Sequence, residues 1–196
     1  MIALNLIYAA VYAVVAVSTL AALMVVWPRR ASRDAVPLAG LMLGVAIWCG
    51  ASSAMWYAPT LSQQVFWNRF QDLGVWTIPG AFLALALVEV GYDARRIRRW
   101  VAVVSVVLAN LEWINPGDLF DAAFAPVTIG PYTSYTVVPG PLYRAPIAFI
   151  YVVVLTACMI LSRAYLKASG IARKRAAILL AVVPIDVVSS SLKCTT

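Results

Sequence analysis

Histidine is absent from this chain, and charge of either sign is scarce: Asp, Glu, Lys and Arg make up 12% of its 196 residues. An average soluble domain carries roughly 25%. Without histidine the commonest general base is missing. No HExxH, GxSxG or P-loop pattern occurs either, so the residues offer no enzymatic constellation. The three cysteines, Cys49, Cys158 and Cys194, form no CxxC pair. A structural zinc site takes four Cys or His ligands, so neither a metal nor another cofactor is expected. Cys49 and Cys158 fall within apolar stretches, where a packed free thiol is the plain reading.

Charge is also missing from particular places. Residues 1–27 contain no Asp, Glu, Lys or Arg. A signal peptide needs a basic start, so this stretch reads as a retained first helix. What is abundant is hydrocarbon: 63% of the residues are hydrophobic, and mean hydropathy is +0.88. The apolar residues come in blocks long enough for a bilayer core of roughly 30 Å, which needs about 20 residues of helix. Six blocks are predicted to span, at about 2–27, 36–57, 66–92, 100–114, 143–166 and 172–192. The expected fold is therefore all-α, a polytopic membrane bundle occupying 1–192, with 193–196 as a tail.

A formal charge of +7 would suit nucleic acid, but its distribution points to the lipid bilayer instead, and no nucleic-acid partner is expected. Twelve of the fifteen basic residues lie in the loops after helices one, three and five, among them Arg29, Arg30 and Arg33, Arg95 to Arg99, and Arg173 to Arg175. Basic loops stay cytoplasmic, which predicts a plasma-membrane protein with its N-terminus outside. The longest loop, 115–142, contains no Lys or Arg. Within it Val127-Thr128-Ile129 and Tyr135-Thr136-Val137-Val138 flank Gly130-Pro131, the pattern of a short extracellular β-hairpin. It is open to two readings, a ligand cap or a packed lid.

Helix two contains Gly40-Leu-Met-Leu-Gly44, and small residues at that spacing let helices approach closely. Packing within the chain is the expected use, with a homodimer seam as the alternative. Polar side chains also concentrate in one layer near the outer ends of the helices: Arg69, Asp72, Asn110, Glu112, Asn115, Arg144 and Asp186. A charge facing lipid costs about 2.5–3.5 kcal/mol, so these groups are expected to face inward, with Arg69 and Arg144 neutralising Asp72, Glu112 or Asp186. They would form either a ligand pocket open to the outside or an ion-pair network that ties the bundle together. The tryptophans, Trp76 among them, are expected near helix ends, in the interfacial belt.

The order of these signals is similar to a known family. Ala46-Ile47-Trp48, Phe66-Trp67-Asn68-Arg69-Phe70-Gln71-Asp72-Leu73-Gly74, Pro79, Leu87-Val88-Glu89, Asn115-Pro116-Gly117-Asp118-Leu119-Phe120 and Gly140-Pro141-Leu142-Tyr143 resemble motifs of the seven-transmembrane N-terminal region of prokaryotic histidine kinases and some diguanylate cyclases. The 66–74 stretch, against Phe-Trp-x-Arg-x-Gln-Tyr-x-Gly, is the most specific. Two departures stand out. The loop after Asn-Pro often carries a histidine in the family, whereas this chain has none, with Asp118 nearby, and Arg144-Ala145-Pro146 stands where an aromatic-His pair commonly follows Gly-Pro.

The resemblance implies a membrane sensor of an extracellular or membrane-borne ligand. Only six spans are read here, with no kinase or cyclase domain and no phosphoacceptor histidine, so no enzymatic activity is expected of the chain itself. It is expected to be a truncated or split sensor, with a stand-alone module as the alternative, and to act through a signalling partner or a homodimer in the membrane. The competing readings are a small permease or channel subunit and a structural assembly subunit.

Overall fold

A computed structural model describes residues 2–92, 95–129, 132–171 and 173–180. Five long helices and one hairpin follow in order: α1 (Ile2–Val26), α2 (Ala35–Tyr57), α3 (Leu61–Glu89), α4 (Arg95–Ile114), β1 (Asp121–Ile129), β2 (Tyr132–Pro139) and α5 (Arg144–Lys167). Residues 170–171 and 173–180 are helical as well. Most of the sixth expected span, 181–192, lies outside the described residues, as does the tail.

Four helices are long and apolar enough to cross a membrane, corresponding to α1, α2, α3 and α5. Helix α4 has 20 residues, about 30 Å at 1.5 Å per residue. Arginines fill its first turn and Glu112 stands in its last, so its uncharged stretch is only Trp100 to Leu111. The described architecture is thus a helical membrane protein with four apolar spans and a two-stranded sheet.

Two boundaries differ from expectation for local reasons. Helix α3 starts at Leu61, five residues before the expected Phe66, because Thr60 caps it: its hydroxyl accepts from the Gln63 N–H at 3.4 Å. Thr60 followed by Gln63 is the sequence pattern of a capping box. The helix ends at Glu89 rather than Tyr92, because Gly91 turns left-handed at φ +72° and the Tyr92 N–H bonds back to the Leu87 carbonyl at 3.0 Å, closing the terminus.

In α1 small residues face inward and large ones outward, the arrangement a bilayer favours. Ala9 and Ala16 of α1 are buried, while Val14, Val17, Met24 and Val25 are exposed. Ser53 of α2 donates to the Ala9 carbonyl at 2.8 Å, and Tyr8 stacks on Trp56 at 5.3 Å; both hold α1 to α2. On its other side α2 meets α3. A Cβ on Gly74 would stand 2.5 Å from the Gly44 carbonyl oxygen and 2.7 Å from the Trp48 amide nitrogen. The 40–44 motif is therefore used within the chain.

Helix α3 also carries the main apolar cluster. Phe82, Leu83, Ala86 and Leu87 pack with Val153, Ala157 and Leu161 of α5, and Leu179 and Leu180 of the last described helical segment pack against them. Pro79, buried within α3, gives up one backbone hydrogen bond there.

Gly74→Ala should lower thermal stability by about 1–3 kcal/mol or more, since the new methyl would meet backbone that cannot yield as a side chain can, and Gly44→Ala, which would first meet the Ile78 side chain at 2.9 Å, should lower it by less. Gly40→Ala meets only Ala81 at 3.5 Å, and Gly50→Ala meets nothing within 4 Å, so both should be near neutral. Melting of the purified variants in detergent checks the contrast; equal effects at all four positions would contradict it.

Candidate functional site

The hairpin begins beside the end of α4. Asn115 adopts a left-handed conformation, φ 45°, which Asn tolerates better than most residues. Its side-chain oxygen accepts from the Phe120 N–H at 2.9 Å and the Asp121 N–H at 3.3 Å, and its amide donates to the Asp121 carbonyl at 2.7 Å. Gly140 closes the other strand end, donating to the Phe120 carbonyl at 2.7 Å, at a point where a Cβ would stand 2.5 Å from the Asp118 and Leu119 carbonyls. The strands pair antiparallel from Asp121↔Pro139 to Ile129↔Tyr132, with an irregularity between Asp121 and Ala123. Both the hairpin and its position between α4 and α5 match expectation; its turn residues Gly130 and Pro131 lie outside the described residues.

One hairpin face turns toward the helices. Phe124 and Tyr135 lie edge to face at 5.5 Å. The Tyr135 hydroxyl donates to the Met55 sulfur of α2 at 3.7 Å. The Arg69 guanidinium of α3 sits 5.8 Å from the Phe124 ring centroid, a cation–π distance. The hairpin is thus a packed lid over the ends of α2 and α3.

Beneath it lies a polar cluster. Trp76, 3% exposed, donates its indole N–H to the Glu112 carboxyl group at 2.6 Å. The same ring packs on Phe149 of α5 at 6.1 Å. Asp121 is buried at the hairpin base and lies within electrostatic reach of both Glu112 and Arg69. Burial pushes its carboxyl above the ordinary 3.8, and the Arg69 charge opposes that rise. The Arg69 Nε is fully buried and meets no hydrogen-bond acceptor among the described residues.

The expected polar layer is thus gathered in part. Arg69 and Glu112 belong to the cluster, and Asn115 builds its floor. Asp72 is partly buried on α3. Asn110 is exposed, bonds to the Val106 carbonyl at 2.7 Å and lines an open cleft of about 340 Å³ with Phe70, Leu73, Ala109 and Trp113. Arg144 is exposed at the first turn of α5. Asp186 lies outside the described residues. Two members were not foreseen. Asp121 lies in the loop expected to form the hairpin and was not among the expected polar layer. Trp76 was assigned to the interfacial belt, but it lies mid-helix and buried. The signal for Trp76 was Glu112 itself, since a carboxylate inside a membrane needs a donor.

An apolar helical bundle with charged groups gathered under a hairpin at one end defines a polytopic membrane protein with a polar cluster there. Residues 10–195 match the model of the N-terminal 7TM region of histidine kinase, and the chain belongs to that family. No curated protein and no solved structure matches it. Within the motif of residues 66–74, the structure accounts for three residues separately: Arg69 reaches the hairpin, Gln71 is buried, and Gly74 permits the close helix contact.

Trp76→Phe should leave the Glu112 carboxylate without its donor and cost about 1–3 kcal/mol. Adding Glu112→Leu should recover part of that loss in a double-mutant cycle; strictly additive losses would show that the two side chains do not cooperate. Asp121 supplies a pH test. Its folded pKa lies above its ordinary value, so the ionised form is disfavoured by folding and stability falls as pH rises through the folded pKa. Asp121→Asn should therefore raise the melting temperature at neutral pH, and the gain should vanish once the pH drops below about 4, where the wild-type carboxyl is protonated. A gain independent of pH would contradict the assignment.

Proposed function

We propose that this chain is a membrane sensor module of the histidine-kinase type that receives its signal at the polar cluster beneath the hairpin. The observation that carries the reading is the buried Arg69 Nε, which has no acceptor among the described residues. A buried donor left unpaired costs about 1–3 kcal/mol, and such groups in membrane proteins are retained where they serve function. The surroundings fit an oxygen-bearing ligand: a guanidinium, the Trp76–Glu112 pair and the aromatic hairpin residues Phe124 and Tyr135. Helices α1 to α5 and a helix at 172–192 are read as six spans. The basic loops then face the cytoplasm, and the N-terminus and hairpin face outward, as the distribution of Lys and Arg supports. The signal would pass to a signalling partner in the membrane or to a second copy of the chain. A transport path is less well supported, because the buried run Phe82–Leu87 at the other end of α3 is wholly apolar.

The test uses intact cells carrying the complete signalling system. A cysteine placed at exposed Thr136 should be labelled by a membrane-impermeant maleimide from outside. Arg69→Gln should keep its membrane level and its melting temperature within a few degrees, yet lose signal-dependent output at least tenfold. Arg69→Gln that unfolds, or that folds and responds normally, would remove the basis for a binding role, and a hairpin inaccessible from outside would reverse the orientation.

A further inference from the structure

The opposite end of α4 carries a different kind of surface. Arg95, Arg96, Arg99, Trp100 and Val103 line a cleft of about 550 Å³, with no acidic residue among them. The three arginines are exposed, and Trp100 is 65% exposed. From this cleft the exposed face of α4 continues through Val103, Val106 and Val107 to Leu111. Steps of three and four residues keep one helix face, and from Trp100 to Leu111 that face runs about 16 Å. Charge at one end and hydrocarbon along most of the rest, with exposed Asn110 tied back to the Val106 carbonyl beside Leu111, is the outline of an amphiphile in reverse.

We propose that this cleft binds the head group of an anionic phospholipid, with its acyl chains laid along Val103, Val106, Val107 and Leu111. Arginine forks match phosphate oxygens in pairs. Trp100 stands where an indole settles at head-group level, and basic pockets at helix ends hold anionic head groups. A lipid, rather than a free phosphate, is indicated by the apolar half of the lining: Trp100 and Val103 face hydrocarbon and give a small hydrophilic anion nothing to contact. The site is separate from the cluster under the hairpin and does not depend on the sensing role.

Retention of phosphatidylglycerol against phosphatidylcholine can be read by native mass spectrometry of the whole chain in detergent. The wild type should prefer phosphatidylglycerol. Each arginine near the interface contributes about fivefold, the equivalent of about 1 kcal/mol, so Arg96→Gln with Arg99→Gln should cut the preference tenfold or more. Arg96→Lys with Arg99→Lys should keep most of it, and Arg29→Gln with Arg30→Gln should leave it within twofold. Trp100→Ala, which removes a cleft wall without touching charge, should weaken it several-fold and serves if the glutamine pair fails to fold. Glycerol 1-phosphate at equal concentration should not compete. The proposal falls if the glutamine pair or Trp100→Ala keeps the wild-type preference. An equal loss in the Arg29 and Arg30 pair would show diffuse surface charge instead of a site, and competition by glycerol 1-phosphate would show a phosphate site.

Discussion

Backbone meets backbone where Gly44 of α2 faces Gly74 of α3, and the polar end of the bundle is built outward from that contact. Packing in a membrane has no gain from water exclusion between helices, so association relies on close van der Waals approach. Glycine on both sides supplies that approach. Once the two axes are set, residues just before and after Gly74 have little freedom: Arg69 comes out one and a half turns earlier, at the hairpin, and Trp76 half a turn later, facing α4 and α5. One sequence motif therefore holds both the helix contact and the charged group that it positions.

The cluster under the hairpin then faces an electrostatic problem of its own making. Glu112 and Asp121 lie near one another with one guanidinium in reach. Two carboxylates in a poorly hydrated place are held by three separate means: the indole donor of Trp76, the charge of Arg69 on Asp121, and a hairpin base that Asn115 clamps by three hydrogen bonds. Arg69 itself is held partly by the Phe124 ring. An aromatic face stabilises a cation without using its N–H groups, which explains how the guanidinium can be seated while its Nε has no acceptor among the described residues.

Much of this was legible beforehand where a residue type has one dominant physical use. Gly40 and Gly44 announced close packing, the alternation around Gly130 and Pro131 announced a hairpin, and Arg69 with Glu112 announced an inward-facing polar layer. The limits are just as specific. Hydropathy alone placed the start of helix three at Phe66, because polar Ser62, Gln63 and Gln64 obscured the Thr60 cap. It placed the start of helix four at Trp100 because arginines read as loop, although they extend the helix by more than a turn. Arg69 and Glu112 both reach the hairpin end of the bundle, yet height along a helix does not determine facing. Asn110 and Arg144 are exposed, and Asn115 spends its side chain on the turn. Trp76 looked like its six fellow tryptophans until the partner across α4 was visible.

A ligand shifts a conformational equilibrium only by its difference in affinity for the two states, so the size of response open to this site can be bounded. A hydrogen bond to a charged group is worth about 1.5–3 kcal/mol, which is a population change of roughly 10- to 150-fold for one acceptor supplied to Arg69. That is a usable signal without any large rearrangement. The element that would carry it is α3. It bears Arg69 in its first half, Trp76 at its middle and the Phe82–Leu87 packing with α5 toward its far end, with Pro79 between Trp76 and that packing interrupting the backbone ladder. A rigid rod would translate as a unit, whereas a helix lacking one internal bond at Pro79 can bend there. Under the proposed sensing role, a change of partner at Arg69 would reach α5 through these packed side chains, and the physical requirement on it is that the Phe82–Leu87 contact possess two arrangements of nearly equal energy.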